Sequence, residues 1–470
     1  MKPPAEFDCL VVGAGPAGSV LATILRDWGR TVVLVGQDAP ERPWREETLS
    51  ADATGPLKRH GLLASVRAHG FEGLAERRWI WGDGTPQIER LATDERGFRV
   101  DRKKLDDDAR AIAGSRGVFI VKDAQLEPPL NRELGVAQVL CDAGGQRHAL
   151  RPRSIAVAAG RDLSARWLPL SLVRQLPETL ALTAVFDAEP SEREAVFIEA
   201  VPEGWLWWLP RSDGRAALTL FCDLDECREV GEESLFDAAR RAAAGPARRT
   251  GPPGELHVSN ATPRLVTSPS DCLLLGDSAS TVDPLTNLGV EKAIRSAEQA
   301  AVAIQSLLEM PDLSRAILDR HAHWEHELWM RGARSALHGY LRETRFSDRP
   351  FWQQRHAAVA VEFETDEPAR LPSVLRLAEG VRRRTALVRR GRVYVEMTGF
   401  GLPGTHQVYD ELGRVPLAPL MSLLQSPLST DDILDQAAAH PALRALPRQA
   451  LQRTLTELWQ KGIIVAAPED

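Results

Sequence analysis

The fold of this chain is decided by one stretch near its start, Val11-Val12-Gly13-Ala14-Gly15-Pro16-Ala17-Gly18. Glycines at this spacing, directly after an apolar strand, are typical of the turn that binds a dinucleotide. Gly13 allows the tight bend, Gly15 lets the backbone approach a pyrophosphate, and Gly18 lets the following helix pack close to the strand. The stretch therefore predicts a nucleotide-binding α/β domain.

The surrounding residues complete the expected βαβ unit. Two apolar, β-branched runs flank a segment with apolar residues at helical spacing, in the order 8–12, 19–28 and 31–35. An acidic residue that binds the adenosine ribose is expected at the end of the second strand, but Gly36 stands there. The ribose contact therefore falls to Gln37 or Asp38, or to backbone groups.

The second informative segment is Leu275-Gly276-Asp277-Ser278, which runs on to Asp283-Pro284. The Asp277 carboxylate follows an apolar run and can hydrogen-bond the ribityl chain of a flavin. A helix beginning near Asn287-Leu288-Gly289-Val290 can point its N–H groups and positive end at the isoalloxazine N1/O2 edge. The two segments together predict FAD. The single nucleotide fingerprint leaves open whether NAD(P)H or a separate reductase supplies electrons.

Bulk composition fits a cytoplasmic enzyme. The 470 residues allow two or three domains, and 43% hydrophobic and 26% charged residues are typical of a globular protein. A net charge of -7 argues against a general nucleic-acid binder, and no apolar run reaches membrane-spanning length. Residues 1–7 lead straight into the first strand, so no signal peptide is expected. The five scattered cysteines predict reduced thiols and no metal site.

Three domains are predicted, and the overall class is α/β (α+β). Residues 1–179 and 259–356 are assigned to a Rossmann-like FAD-binding domain, and 180–258 to an inserted antiparallel-sheet substrate domain. Residues 357–470 contain two amphipathic helices and a closing strand, which predict a small winged-helix-like domain. The acidic balance favours a protein contact over DNA for this domain. A basic linker is expected before its helices, with Arg382, Arg383, Arg384, Arg389, Arg390 and Arg392.

With these motifs in view, the chain resembles the flavin-dependent monooxygenases of the p-hydroxybenzoate hydroxylase fold, and within them the tryptophan-halogenase-like branch. The resemblance covers residues 8–356. Besides the two segments above, it rests on four further pieces: Glu47-Thr48-Leu49, Val100-Asp101-Arg102, Glu203-Gly204-Trp205-Leu206-Trp207-Trp208-Leu209-Pro210 and Arg345-Phe346-Ser347-Asp348-Arg349-Pro350-Phe351-Trp352-Gln353-Gln354-Arg355.

The resemblance implies a set of cofactor contacts. Asp277 is expected to hold the ribityl chain, Pro284 to lie against the flavin, and Gly289 with Val290 to face the pyrimidine edge. Arg42 and Arg102 are expected to contact pyrophosphate or flavin, and Ala124 to meet the adenine through its backbone. The remaining cofactor-binding candidates are Gln37, Gly276 and the glycine turn itself: Gly13, Ala14, Gly15, Pro16, Ala17 and Gly18.

Glu47 is the candidate catalytic residue, because the Glu-Thr-Leu segment of the branch borders the isoalloxazine. It is expected to act as a base or an orienting group, and an acid that only anchors the backbone is the alternative. Four tryptophans are expected to line the substrate pocket: Trp79, Trp81, Trp205 and Trp207.

The chemistry expected from the resemblance is oxygen transfer. Halogenases of the branch need a lysine that captures hypohalous acid, expected where Arg77-Arg78-Trp79-Ile80-Trp81 stands, and no lysine is there. This departure favours a monooxygenase that uses O2 through a flavin C4a-hydroperoxide.

The substrate follows from which part of the branch the chain resembles. It is similar to members that hydroxylate a tryptophan within a partner protein, the peptidyl-tryptophan hydroxylases of tryptophylquinone cofactor biogenesis in quinohaemoprotein amine dehydrogenase. The expected partner is therefore a small quinoprotein subunit. Two alternatives stay open: a small-molecule aromatic hydroxylase or halogenase, and a flavin-binding regulatory module whose C-terminal domain binds DNA.

Overall fold

The computed structural model describes residues 4, 6–36, 46–69, 75–92, 95–127, 138–141, 144–163, 171–174, 176–193, 195–267, 272–362, 371–403 and 405–467. The chain divides into two compact units, Met1–Glu362 and Phe363–Asp470. Among helices in these ranges, none has both the length and the apolar character that crossing a bilayer requires.

The first unit contains nineteen of the described strands and ten of the described α-helices. The strands are β1 Glu6–Val12, β2 Val32–Gly36, β3 Glu46–Leu49, β4 Glu76–Ile80, β5 Pro86–Arg90, β6 Phe98–Asp101, β7 Phe119–Lys122, β8 Gln125–Leu126, β9 Gln138–Cys141, β10 Arg147–Val157, β11 Ser171–Val173, β12 Thr179–Asp187, β13 Ala195–Val201, β14 Gly204–Pro210, β15 Arg215–Asp223, β16 His257–Asn260, β17 Arg264–Thr267, β18 Leu273–Leu274 and β19 Ser280–Thr281. The helices are α1 Pro16–Asp27, α2 Thr54–Arg59, α3 Leu62–Ala68, α4 Arg102–Ser115, α5 Gly160–Leu163, α6 Leu224–Val230, α7 Glu232–Ala242, α8 Gly289–Glu309, α9 Ser314–Leu341 and α10 Pro350–Glu362.

A parallel sheet forms the centre of the first unit and confirms the predicted Rossmann-like class. Its strand order is β7-β2-β1-β10-β9-β8, with β18 beside β10. The strands β7, β2, β1, β10 and β18 run parallel, so their carboxyl ends meet at one edge. Apolar β-branched residues fill these strands because both faces of a parallel sheet are covered. The described residues of β1, α1 and β2 thus form the βαβ unit that the glycine fingerprint predicts.

A second, mostly antiparallel sheet has the order β16-β12-β15-β14-β13-β4-β5. It is larger than expected from residues 180–258, because β4 and β5 join it from an earlier part of the chain. The β4 strand pairs in parallel with β13, and its two arginines hide the usual alternation of apolar and polar residues. One face of the sheet buries Leu206 and Trp208 in a core with Phe236 of α7.

The second unit packs three helices on a small sheet, which fits the winged-helix-like prediction. The strands are β20 Val374–Leu377, β21 Arg382–Arg390, β22 Val393–Gly401, β23 Glu411–Leu412, β24 Val415–Pro416, β25 Leu428–Ser429 and β26 Ile464–Ala466, and the helices are α11 Leu417–Leu423, α12 Thr430–Ala439 and α13 Arg448–Gln460. The strands β25, β20 and β26 form one sheet.

The prediction of a basic linker is wrong, because these arginines belong to a β-hairpin. Five of its arginines lie on β21, which forms a hairpin with β22, and Arg392 lies in the turn between the two strands. Leu387 of β21 and Tyr394 of β22 are buried, so apolar residues hold the hairpin while most of the arginines stay at the surface. We call this element the basic hairpin.

Candidate cofactor and substrate site

The glycine turn is built by direct backbone contact. Gly13 has a φ of +108°, and a Cβ there would lie 2.2 Å from the Ala158 carbonyl oxygen. A Cβ on Gly18 would lie 1.9 Å from the Gly13 carbonyl oxygen. Gly15 differs, because a Cβ there would meet nothing within 4 Å and no side chain caps α1. The turn is therefore tight on its protein side and open where an anion would approach the helix end.

The same contacts explain why no acid ends the second strand. A Cβ on Gly36 would lie 2.2 Å from the Cβ of Ala14, so a larger residue has no room there. The Asp123 N–H donates to the Gly36 carbonyl at 3.1 Å, which brings the buried Ala124 close to this end of β2. Two predicted contacts, Gln37 and Arg42, lie outside the described residues.

The Gly276–Asp277 turn packs against the helix of the glycine turn. Gly276 has a φ of +59°, and a Cβ there would lie 2.8 Å from the Cβ of Ala17. The Asp277 side chain is exposed beside this contact. The structure thus brings together the two motifs that the sequence separates, with the carboxylate of Asp277 at the surface.

A buried polar cluster that the sequence analysis missed lies under this turn. The Lys292 ammonium donates to the carbonyl oxygens of Gly276, at 2.5 Å, and Ser280. The Glu325 carboxylate lies 3.9 Å from it and accepts from the hydroxyl of Ser296. Burial lowers the pKa of Lys292, while the carboxylates of Glu325 and Asp277 act in the opposite direction. The sequence gives no clear signal for this cluster, because Lys292 stands between Glu291 and Arg295 in an ordinary mixed helix start.

A second buried network holds the segment that contains Pro284. Asp283 is 1% exposed and accepts from the Leu285 N–H at 2.9 Å and from the Tyr340 hydroxyl at 3.0 Å. The Tyr340 oxygen in turn accepts from the indole N–H of Trp205 at 3.3 Å. Burial raises the pKa of Asp283, and burial together with the Asp283 carboxylate raises the pKa of Tyr340. This chain of hydrogen bonds links the antiparallel sheet to Pro284 through α9.

The start of α8 is open in the same way as the start of α1. No side chain caps it, Gly289 is exposed, and a Cβ on Gly289 would meet nothing within 4 Å. Val290 is buried and anchors the first turn. The Thr48 hydroxyl donates to the side chain of Asn287 at 3.0 Å, so the Glu-Thr-Leu segment lies next to this helix end.

Glu47 is engaged with Arg102 at this position. The Arg102 Nη1 lies 3.0 Å from a Glu47 carboxylate oxygen, and its Nε lies 3.1 Å from Asp106. The Glu47 carboxylate raises the pKa of Arg102, and burial raises the pKa of Asp106. An acid held in an ion pair suits an orienting group, and the roles of Glu47 and Arg102 at the flavin stay predictions.

Two of the four pocket tryptophans are packed against α9. The Trp81 indole N–H donates to the Gly339 carbonyl at 2.9 Å. Trp205 is 2% exposed and stacks on Phe221 with ring centroids 4.0 Å apart, besides its bond to Tyr340. Both side chains therefore join the sheet to the helix.

The other two tryptophans share an open sheet face. Trp79 and Trp207 are both in register with Ile198, so the three side chains form one row on the face opposite the Trp208 core. Both rings are partly exposed, and the Trp79 indole N–H donates to Gln87 at 2.6 Å. The pocket role of all four tryptophans stays a prediction.

These features fit FAD. The open end of α1 offers N–H groups to a pyrophosphate, Asp277 is free to face a ribityl chain, and the open end of α8 offers positive charge to the pyrimidine edge. Within the described ranges, no group of three or more His, Cys, Asp or Glu residues is arranged to hold a metal ion.

Comparison with known proteins agrees with this geometry. The profile of the FAD binding domain family matches residues 6–327. Tryptophan 2-halogenase of Chondromyces crocatus is 25% identical over 339 residues, which are 66% of this chain and 63% of that enzyme. The match thus spans less than two thirds of that relative.

Two solved structures share the fold over nearly the whole chain. Peptidyl tryptophan dihydroxylase QhpG, described as essential for tryptophylquinone cofactor biogenesis, matches with a TM-score of 0.73 and 24% identity, covering 96% of this chain and 99% of that one. The flavin-dependent halogenase CmlS matches with a TM-score of 0.75 and 16% identity, covering 98% and 96%. The chain therefore belongs to the FAD binding domain family, as an oxidoreductase among its monooxygenase-like and halogenase-like members.

Proposed function

We propose that the chain is an FAD-dependent monooxygenase that hydroxylates a tryptophan side chain of a partner protein. The partner is a small quinoprotein subunit whose tryptophan becomes a tryptophylquinone. The fold shared with a peptidyl tryptophan dihydroxylase supports this substrate class. O2 is the co-substrate, and NAD(P)H or a reductase supplies the electrons.

One observation carries the choice of oxygenation over halogenation. The open face of the antiparallel sheet bears Trp79 and Trp207, yet no lysine occurs in any of the seven described strands of this sheet. The cation of β4 on the same face as Trp79 is Arg77, whose Nε lies 3.7 Å from the Glu89 carboxylate, whereas Arg78 is on the opposite face and lies over the ring of Phe197. The described strands that form this face therefore carry no amine that could capture hypohalous acid.

The chain's own residues provide an apolar platform and a dry boundary. Trp79, Ile198 and Trp207 present a flat row on which an indole ring can stack. Trp81 and Trp205, both packed on α9, close one end of this face against water. The reduced flavin, when bound, activates O2 for transfer of an oxygen atom. Glu47, held by Arg102, orients the substrate or accepts its proton.

The second unit is proposed to recognise the partner. The basic hairpin concentrates positive charge on a chain whose net charge is -7. Such a surface attracts an acidic protein, and its contribution falls as salt screens the charges. Deleting residues 402–470 cuts through this unit, so replacing Arg382, Arg383 and Arg390 with glutamine is the sharper test. The variant should keep FAD and lose modification of the partner at moderate salt.

A second candidate is a small-molecule aromatic hydroxylase or halogenase. It is favoured by the match to tryptophan 2-halogenase and by the fold shared with CmlS. In that case the second unit only completes the enzyme, and free tryptophan or a phenol is the substrate.

Co-expression with a candidate quinoprotein subunit distinguishes the two. Mass spectrometry of the subunit should show oxygen added to one tryptophan only when this chain is present. Turnover of free tryptophan with an unmodified subunit would favour the small-molecule candidate instead, and a chlorinated or brominated product in halide buffer would reject oxygenation.

A further inference from the structure

Lys292 is a buried cation in the first turns of α8. Its side chain is 2% exposed, its ammonium bonds two backbone carbonyls, and it lies in the first turns of α8, where Leu288 accepts its backbone N–H. A cation near a helix N-terminus opposes the helix dipole, and a buried charge carries a desolvation cost. A methionine of similar length would avoid both costs but would leave the Gly276 and Ser280 carbonyls and the buried Glu325 carboxylate without this partner.

The hydrogen-bond acceptors of Lys292 lie at the two ends of the segment 276–280, which contains Asp277. The Gly276 carbonyl is one acceptor, and the Gly276 N–H donates to the Ser296 hydroxyl at 2.8 Å, so two residues of α8 fix this turn. Ser280, the other acceptor, also donates to Glu325 at 3.4 Å. The turn that presents Asp277 is therefore joined to the first turns of α8 through two buried residues, Lys292 and Ser296.

The two buried charges of the cluster come from different helices. Lys292 extends from α8, whose open end would face the flavin, whereas Glu325 approaches from α9. Reduction of a flavin increases negative charge at its N1/O2 edge. A buried cation on α8 stabilises that charge more than exposed groups can, because the interior screens it weakly.

We infer that Lys292 is a positioning residue that fixes the Gly276–Asp277 turn and, through its charge, favours the reduced flavin over the oxidised one. Glu325 opposes this effect while orienting the lysine. The inference rests on FAD binding, which the family shares, and is independent of the proposed protein substrate.

The test uses charge-removing variants on the two sides of the cluster. The reduction potential of the FAD-loaded protein is measured by dye equilibration for the wild type, Lys292→Met and Glu325→Gln. We expect Lys292→Met to weaken binding of reduced relative to oxidised FAD by about tenfold, a fall of about 30 mV for a two-electron couple. Glu325→Gln, which is isosteric, should shift the potential upwards.

Opposite shifts of the reduction potential in the two variants would indicate an effect of charge. A structural defect is not expected to lower the potential in one variant and raise it in the other. Arg315→Met and Asp319→Asn are the matched controls, because this exposed pair lies on α9 and is screened by solvent. Unchanged potentials, or shifts of the same sign in both variants, would overturn the inference. If Lys292→Met does not fold, Glu325→Gln alone decides, and a potential that stays the same or falls refutes it.

Discussion

The two helix ends that would hold FAD, at the start of α1 and at the start of α8, are fixed by opposite means. Neither has a side-chain cap, and each has open space beside a glycine, Gly15 or Gly289. At α1, backbone atoms touch directly, so a Cβ on Gly18 would lie 1.9 Å from the Gly13 carbonyl oxygen. At α8, buried polar side chains such as Lys292 hold the neighbouring turns.

Because of this difference, the two helix ends should not tolerate substitutions equally. A close backbone contact fails when a single methyl group is added, because nothing flexible can move aside. A buried hydrogen-bond network can lose one member and keep its shape, at the cost of leaving polar groups unpaired. The comparison therefore predicts steep effects at α1 and graded effects at α8.

The largest effect is expected for Gly18→Ala. The added methyl group must displace the glycine turn, which should destabilise the protein by roughly 3 kcal/mol or more and abolish FAD binding. Gly15→Ala is the matched control, since its φ of -75° accepts alanine and its Cβ would be unopposed. It should keep the unfolding midpoint of the apoprotein and weaken only FAD affinity. Normal FAD binding by Gly18→Ala would contradict the expected sensitivity of the glycine turn to a single added methyl group.

Tyr340→Phe should have an intermediate effect. Removing the hydroxyl deprives the buried Asp283 carboxylate and the Trp205 indole of a partner. The loss of a hydrogen bond to a charged group is expected to cost about 1.5–3 kcal/mol in urea unfolding. Tyr409→Phe, which loses only an exposed bond to Gln407, should change stability by less than about 0.5 kcal/mol. Equal effects of the two substitutions would show that the buried network is not what holds this segment.

Asp277→Ala tests whether the turn that lies between the two helix ends contributes to FAD binding. Because Asp277 is exposed, its removal should leave the stability of the apoprotein unchanged. Loss of a charged hydrogen bond to the ribityl chain should weaken FAD binding by about 1.5–3 kcal/mol, a rise in Kd of about tenfold or more. Fluorescence titration with FAD measures this, and Asp277→Asn should fall between the two. An unchanged Kd for FAD would show that the Asp277 side chain does not contribute to cofactor binding.

The smallest effect concerns the outer side of α8. Burial disfavours the charge on Glu298, but hydrogen bonds from His60 and Arg59 prevail and lower its pKa from 4.5 to about 2. A lowered folded-state pKa gives stability that is present above pH 4.5 and is lost as the pH falls towards 2. Glu298→Gln should cost about 1 kcal/mol at neutral pH and flatten this part of the stability profile. An unaltered acid profile would contradict the ion-pair account.

The sequence predicts the glycine turn at the start of α1 better than the contacts near the start of α8, and the reason is physical. The glycine turn depends on backbone sterics between residues close in sequence, so its spacing alone identifies it. Near the start of α8, the second buried network joins Asp283, Tyr340 of α9 and Trp205 of β14, which are up to 135 residues apart, and hydrogen bonding between such residues leaves no periodic pattern. The pairing of β4 with β13 is hidden similarly, because the partner of a strand is not encoded in its own alternation.

The proposed chemistry can be tested in a single reaction with isotope-labelled O2. The FAD-loaded chain, an electron donor and the candidate quinoprotein subunit are mixed in chloride and bromide buffers, and the subunit is sequenced by mass spectrometry. The account predicts labelled oxygen on one tryptophan, no halogen in either buffer, and no label when FAD is omitted. Halogenated tryptophan, or label found only in water or on free indoles, would contradict it.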